Sequence, residues 1–166
     1  MEEEWFPLVD EAGHVTGKAT RRECHGGSRM LHPVVHLHVF NEVGELYLQR
    51  RPAHKDVQPG KWDTSVGGHV GWGEVVEDAL RREAWEELGM TGFRPEFIGR
   101  YVFESAVERE LVYSYRTVYG GLIVPDAYEL DGGRFWIAGE IRSGIGKNIF
   151  TPNFETEFHR FLSPTI

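Results

Sequence analysis

The chain has 166 residues, 40% of them apolar, the size of one globular unit with a substantial core. Its 18 basic and 26 acidic residues leave a net charge of -8, which disfavours a nucleic-acid polymer or an anionic membrane as partner. The single cysteine, Cys24, excludes an intramolecular disulfide framework; with an acidic start at Met1-Glu2-Glu3-Glu4 and no long apolar run, a cytoplasmic location is expected.

Trp5 to Asp10 and Val15 to Ala19 read as two short strands around an Asp-Glu-Ala-Gly turn, a hairpin able to cap one end of a sheet. Residues 20–32 are polar and aperiodic and read as a loop with room for one helical turn. Val34 to Phe40 alternates, with Val35, Leu37 and Val39 on one face and His36, His38 and Phe40 on the other, which predicts a half-buried strand. A turn at Asn41 to Gly44 leads into its hairpin partner, Leu46 to Arg51. Residues 52–61 form a loop by composition, and Trp62 to Val66 a short strand leading into a glycine-rich loop at Gly68 to Glu74. From Glu74 to Leu88 the apolar residues Val75, Val76, Ala79, Leu80, Ala84 and Leu88 recur three or four apart, so an amphipathic helix is predicted, ended by Gly89. Phe93 to Phe103, Leu111 to Ile123 and Arg134 to Ile137 read as strands; Ala138 to Gly144 and Thr151 to Leu162 read as helices, the last with Pro152 in its first turn. No repeat or linker divides residues 1–166, so one domain with a mixed sheet covered by helices is expected.

The chemistry concentrates on the central helix. Glu83 and Glu87 are one turn apart and Glu86 lies three residues from Glu83, so the three carboxylates can present oxygens to one point. Such crowding is costly unless a cation joins it, and hard oxygen ligands suit Mg2+ or Mn2+. Arg82 and Glu74, about two turns apart, can meet through their long side chains. A solvated acidic face is the competing reading of the same pattern.

The spacing Gly68, five residues, Glu74, seven residues, Arg82-Glu83-Ala84, one residue, Glu86-Glu87, one residue, Gly89-Met90 resembles the signature box of the Nudix hydrolases at every specified position. The resemblance implies a Nudix-type α/β/α sandwich with a mixed, partly antiparallel β-sheet. It also implies metal-dependent cleavage of a phosphoanhydride bond in a small molecule such as a nucleoside diphosphate derivative. Carried over, Glu83, Glu86 and Glu87 are the metal ligands with a backbone carbonyl at Gly67 or Gly68, Glu74 and Arg82 lock loop to helix, and Glu87 is the first choice as general base. Arg50, Arg51 and Lys55 are candidates for phosphate contacts, Trp62 and Trp72 for stacking on a base or ring, and a homodimer is the leading expectation for assembly.

Leu31-His32, Asn41, Gln49-Arg50-Arg51 and the run Trp62 to His69 resemble, more narrowly, the isopentenyl diphosphate isomerase branch of the same superfamily. That likeness implies a second divalent site of three histidines and two glutamates, here His25, His32, His69, Glu108 and Glu110, for Zn2+, Mn2+ or Mg2+. The chain departs from those isomerases at Gly67, where they carry an essential cysteine; Cys24 is elsewhere and is expected to be a small buried residue. Hydrolysis is therefore expected ahead of isomerisation, with a non-catalytic nucleotide-binding module as a further alternative. His36 and His38 remain open between pocket lining or metal binding and sheet packing.

Overall fold

The computed structural model describes residues 3–55, 57–164 and 166; Met1 and Glu2 of the acidic start and Asp56 of the expected loop lie outside the described residues. Strands β1 (Trp5–Val9) and β2 (Val15–Thr20) pair antiparallel as a separate two-stranded sheet. Between them the Asp10 carboxylate accepts the backbone N–H groups of Ala12 and His14 at 3.0 and 2.9 Å, which closes the turn. The segment after β2 holds a helical turn, α1 (Arg21–His25), because Thr20 and Glu23 cap each other's backbone N–H groups in a capping box.

The main sheet is built on β3 (Leu31–Phe40). It pairs antiparallel with β4 (Leu46–Arg50) and β6 (Val66–His69) along one edge and parallel with β8 (Arg109–Val118) along the other. The short β5 (Trp62–Asp63) and β9 (Gly133–Trp136) flank β4, and β7 (Glu96–Glu104) completes a seven-stranded mixed sheet beside β8. Helix α2 (Val76–Leu88) lays Ala79, Leu80, Ala84 and Leu88 on the face carrying Val35, Leu37 and Val39. On the Phe40 face lie α3 (Ala138–Gly144) and α4 (Pro152–Glu157), the latter running on as a π-helical turn over Phe158–Leu162; Ile141, Phe154 and Phe158 pack there. The result is an α/β/α sandwich.

Three expectations are corrected by this packing. Helices cover both faces of β3, so it is buried along its whole length and not half-buried as its alternation suggests. The strand expected over Trp62 to Val66 is two strands, and Gly67 and Gly68 run inside β6 instead of opening a loop. A Cβ at Gly68 would overlap the carboxyl group of Glu83, so a glycine in the strand is what lets the acidic side of α2 approach. The strand expected to reach Ile123 ends at Val118, because the chain leaves the sheet to serve α2. There Val124 and Asp126 donate backbone N–H groups to the last carbonyls of that helix, Leu88 and Glu87, at 3.0 and 2.8 Å. Gly89, at φ +66°, closes the same helix end by donating to Trp85 at 2.9 Å.

Candidate active site

A cavity of about 1410 Å³ opens where α2, β6, the N-terminal hairpin and the segment after β4 meet. Arg82 organises its acidic wall. The guanidinium grips both oxygens of Glu74 at 2.9 and 3.0 Å, donates to Glu83 at 2.7 Å and Glu86 at 3.3 Å, and reaches the His69 carbonyl at 2.9 Å. Glu74 also accepts the N–H of Gly71 at 2.9 Å, so loop and helix are joined through one carboxylate, held below its ordinary pKa by the Arg82 hydrogen bonds. Glu87 accepts from the Gln49 side chain at 2.8 Å and from the N–H of Gly67 at 3.4 Å. Burial pushes Glu83 above the usual carboxylate range and Glu87 well above it, the charge on Glu83 adding to the burial of Glu87. Two such carboxyls side by side are stabilised by a cation. Glu86 stands on the outer flank, its side chain 54% exposed, with Arg82 between it and Glu83, so the three oxygens do not meet at a single point as the helix spacing suggests.

The other wall is histidine. Donor atoms of His25, His32 and His69 all lie within 4.8 Å of one another, as do those of His32, Glu108 and Glu110. The group is assembled from α1, the start of β3, the end of β6 and the start of β8, and the parallel register that sets His32 beside Glu110 fixes it. Phe6 of β1 stacks on the His69 ring at 4.6 Å and covers the cluster. His32 faces the Met30 carbonyl with Nδ1 at 2.9 Å, an arrangement that makes Nδ1 the donor; its Nε2 is buried with no hydrogen-bond partner. Burial lowers the pKa of all three imidazoles, most of all His69, where its two histidine neighbours add to the effect, so they stay neutral. Burial and the Glu108 charge push Glu110 up to about 8. An orphaned imidazole nitrogen among neutral imidazoles and carboxyl groups is a donor set that fits a transition-metal or other divalent ion.

Of the remaining candidates, Arg51 and Lys55 line the cavity, Arg51 donating to the Val57 carbonyl at 3.0 Å and Lys55 lying 3.9 Å from Glu129. Arg50 does not reach the cavity: alternation along β4 turns Gln49 inward and Arg50 outward, where it meets the Gly60 carbonyl and the Trp62 ring. Trp62 packs edge-on against Trp136, whereas Trp72 is half exposed at the cavity, beside Trp5, with the Lys18 ammonium over both rings. Cys24 is fully buried and its thiol is pushed up to about 11 by burial. His36 and His38 both bond Glu157, a buried carboxylate of α4 that pattern reading does not single out. Nothing local marks Glu157: it lies 121 residues from His36 and reads as one more acidic residue of a terminal helix. Burial opposes both charges of that pair, but their mutual attraction and hydrogen bond outweigh it, holding Glu157 well below the carboxylate range and His36 up at about 9.

Fold and cavity together define a class: α/β/α sandwiches that bring an arginine-braced acidic helix against a glycine-bearing strand. A NUDIX domain model matches residues 30–140. An uncharacterized Nudix hydrolase of Streptomyces coelicolor is 33% identical over 91% of this chain and 84% of its own length. An isopentenyl-diphosphate Delta-isomerase of Mycolicibacterium vanbaalenii is 35% identical over 74% of this chain and 71% of its own. The crystal structure of DR0079 from Deinococcus radiodurans superposes with a TM-score of 0.81 at 24% identity, covering 95% of this chain and 99% of that one. The chain belongs to the Nudix hydrolase family, whose members are generally metal-dependent hydrolases of diphosphate linkages.

Proposed function

We propose that this Nudix hydrolase cleaves the phosphoanhydride bond of a small diphosphate-containing molecule, such as a nucleoside diphosphate derivative, with Mg2+ or Mn2+. The observation that carries this reading is the pairing of Glu83 and Glu87, desolvated against Gly68 and Gly67 and tied to Arg82 and Gln49. Glu83, Glu86 and Glu87, with the Gly68 carbonyl, would hold the ions. Bound there, they supply charge neutralisation, a polarised phosphorus and an activated water. Glu87 takes the proton of the attacking water, because its place among the residues that would hold the ions keeps it within reach of that water. Glu74 and Arg82 keep the glycine loop and the helix in register, Arg51 and Lys55 bind phosphate oxygens, and Trp72 offers a face to a flat base.

The test is a panel of diphosphates, including ADP-ribose, nucleoside diphosphates and nucleotide sugars, assayed for product release with Mg2+ and with Mn2+. Turnover by the wild type that falls about a thousandfold in Glu86→Gln/Glu87→Gln is expected. Equal rates in the two proteins contradict the mechanism.

The convergence of His25, His32, His69, Glu108 and Glu110 favours one second reading, interconversion of isopentenyl and dimethylallyl diphosphate. It predicts solvent deuterium in the product without phosphate release. Gly67, which offers no side chain for proton transfer where the isomerases carry cysteine, ranks it second.

A further inference from the structure

The carboxylate helix makes no use of the buried polar group on the opposite face of the sheet. There Glu157 of α4 is fully buried and accepts four hydrogen bonds: from His36 Nδ1, from His38 Nε2 at 2.9 Å, from the Tyr101 hydroxyl at 2.8 Å and from the Ser114 hydroxyl. Four donors converging from β3, β7 and β8 saturate the carboxylate. His38 and Ser114 are completely enclosed and Tyr101 nearly so, which makes them internal supports.

His36 is different. Its Nδ1 edge is pinned to Glu157, while its Cδ2–Nε2 edge runs beside Gly67, its register partner in β6. A Cβ placed at Gly67 would stand 3.3 Å from Cδ2 and 3.6 Å from Nε2, so the glycine leaves that edge of the ring uncovered. His36 lines the cavity, its Nε2 has no hydrogen-bond partner among the described residues, and unlike the orphaned nitrogens of His32 and His38 it is not sealed from solvent. It belongs to neither group of convergent metal donors. The nitrogen is therefore open to an acceptor in the cavity, close to the carboxylate wall: the N–H of Gly67 bonds Glu87, and β6 turns Gly68 toward Glu83 on one face and Gly67 toward His36 on the other. Among the described residues β6 pairs only with β3, so its other edge is not closed by a strand.

We infer that His36 is a substrate-binding residue, donating Nε2–H to a phosphate oxygen on the far side of β6 from α2, and that Glu157 is the positioning residue that fixes its ring. This rests on the diphosphate reading above. The anion accepts a hydrogen bond from a donor whose direction is set before it arrives, so its position relative to Glu87 is restricted.

The experiment is titration calorimetry of methylenediphosphonate, which cannot be hydrolysed at its bridge, onto the full chain with Mg2+. It compares wild type, His36→Gln, His36→Asn and Glu157→Gln, each checked for cooperative melting. Glutamine places its amide where Nε2 lies, and asparagine places its amide where Nδ1 lies. The proposal predicts His36→Asn at least about tenfold weaker than wild type, and His36→Gln and Glu157→Gln, which keep the donor but loosen its anchor, weaker by less than about tenfold. On any diphosphate that is turned over, His36→Asn should raise KM with kcat nearly unchanged. A merely structural His36 predicts the reverse order, because asparagine keeps the Glu157 contact and glutamine abandons it, and that result overturns the inference. If His36→Asn fails to fold, a loss of tenfold or more in a folded His36→Gln overturns it equally. A wild type that does not bind the diphosphonate overturns the diphosphate reading and this inference together, whereas normal wild-type binding with unaffected His36→Asn overturns this one alone.

Discussion

The two walls of the cavity are buried to similar effect and respond in opposite directions. On α2, desolvation drives Glu83 and Glu87 toward their protonated, neutral forms; across the cavity, desolvation drives His25, His32 and His69 toward their unprotonated, neutral forms. Metal binding needs both kinds of group unprotonated. The imidazoles of the histidine wall are therefore already unprotonated, whereas Glu110 beside them and Glu83 and Glu87 on α2 hold a proton more tightly than an ordinary carboxyl. The same burial thus leaves one wall of carboxyls with raised proton affinity and another whose imidazoles are already neutral. Arg82 belongs to the first wall, where it compensates charge; the unpartnered Nε2 of His32 belongs to the second.

The largest effect that bears on this contrast is catalytic. Hydrolysis assigned to α2 should fall about a thousandfold in Glu86→Gln/Glu87→Gln, whereas His32→Ala should cost far less in diphosphate turnover; equal losses would erase the division of labour. Next comes stability. His36, raised to about 9 in the folded chain from 6.5, contributes stability that is complete below pH 6.5 and is lost as pH rises through 9. Glu157, depressed in the fold, contributes above the ordinary carboxylate value and loses its contribution as pH falls through its folded value. His36→Gln does not titrate, so the wild-type advantage over it in denaturant unfolding should shrink by ~3 kcal/mol from about pH 6 to about pH 10. The pair is one interaction, counted once.

A smaller effect comes from Gly68→Ala. The added Cβ overlaps the Glu83 carboxyl, the end of a flexible side chain able to swing aside, so the expected outcome is turnover reduced by about ten- to a hundredfold with about 1 kcal/mol or less lost in thermal melting. A large loss of stability with intact turnover would show that the glycine serves the strand and not the carboxylate. The smallest effect is in metal uptake. Mn2+ affinity of His32→Ala, which retains the helix site, should fall about tenfold per pH unit once Glu87 protonates. Affinity of Glu83→Gln/Glu87→Gln, which retains the histidine site, should vary less above about pH 8, where Glu110 is ionised and the imidazoles are already neutral.

The two walls also differ in how plainly the sequence carries them. Glu83, Arg82 and Glu87 sit on one helix, where a 3.6-residue period turns spacing directly into proximity; Glu86, held off by Arg82, departs from it, and Glu74 reaches Arg82 from the loop before the helix. The histidine wall is gathered from α1, β3, β6 and β8, and no local rule joins residues 25 and 108; family resemblance supplied the set. What stayed hidden depends on tertiary cover. The burial of both faces of β3, the outward turn of Arg50 and the anchoring of His36 and His38 by Glu157 all follow from which helix lies on which face. Gly68 reads as the start of a loop because glycine disfavours strands, and the approach of Glu83 explains why it stands in one.

The most direct measurement is anomalous diffraction from crystals of the wild-type chain soaked in Mn2+ near neutral pH. Manganese peaks are expected at Glu83, Glu86, Glu87 and the Gly68 carbonyl, in addition to any peak at His25, His32, His69, Glu108 and Glu110. Manganese confined to the histidine wall, with α2 bare in a protein that hydrolyses diphosphates, would rule out the carboxylate helix as the seat of hydrolysis.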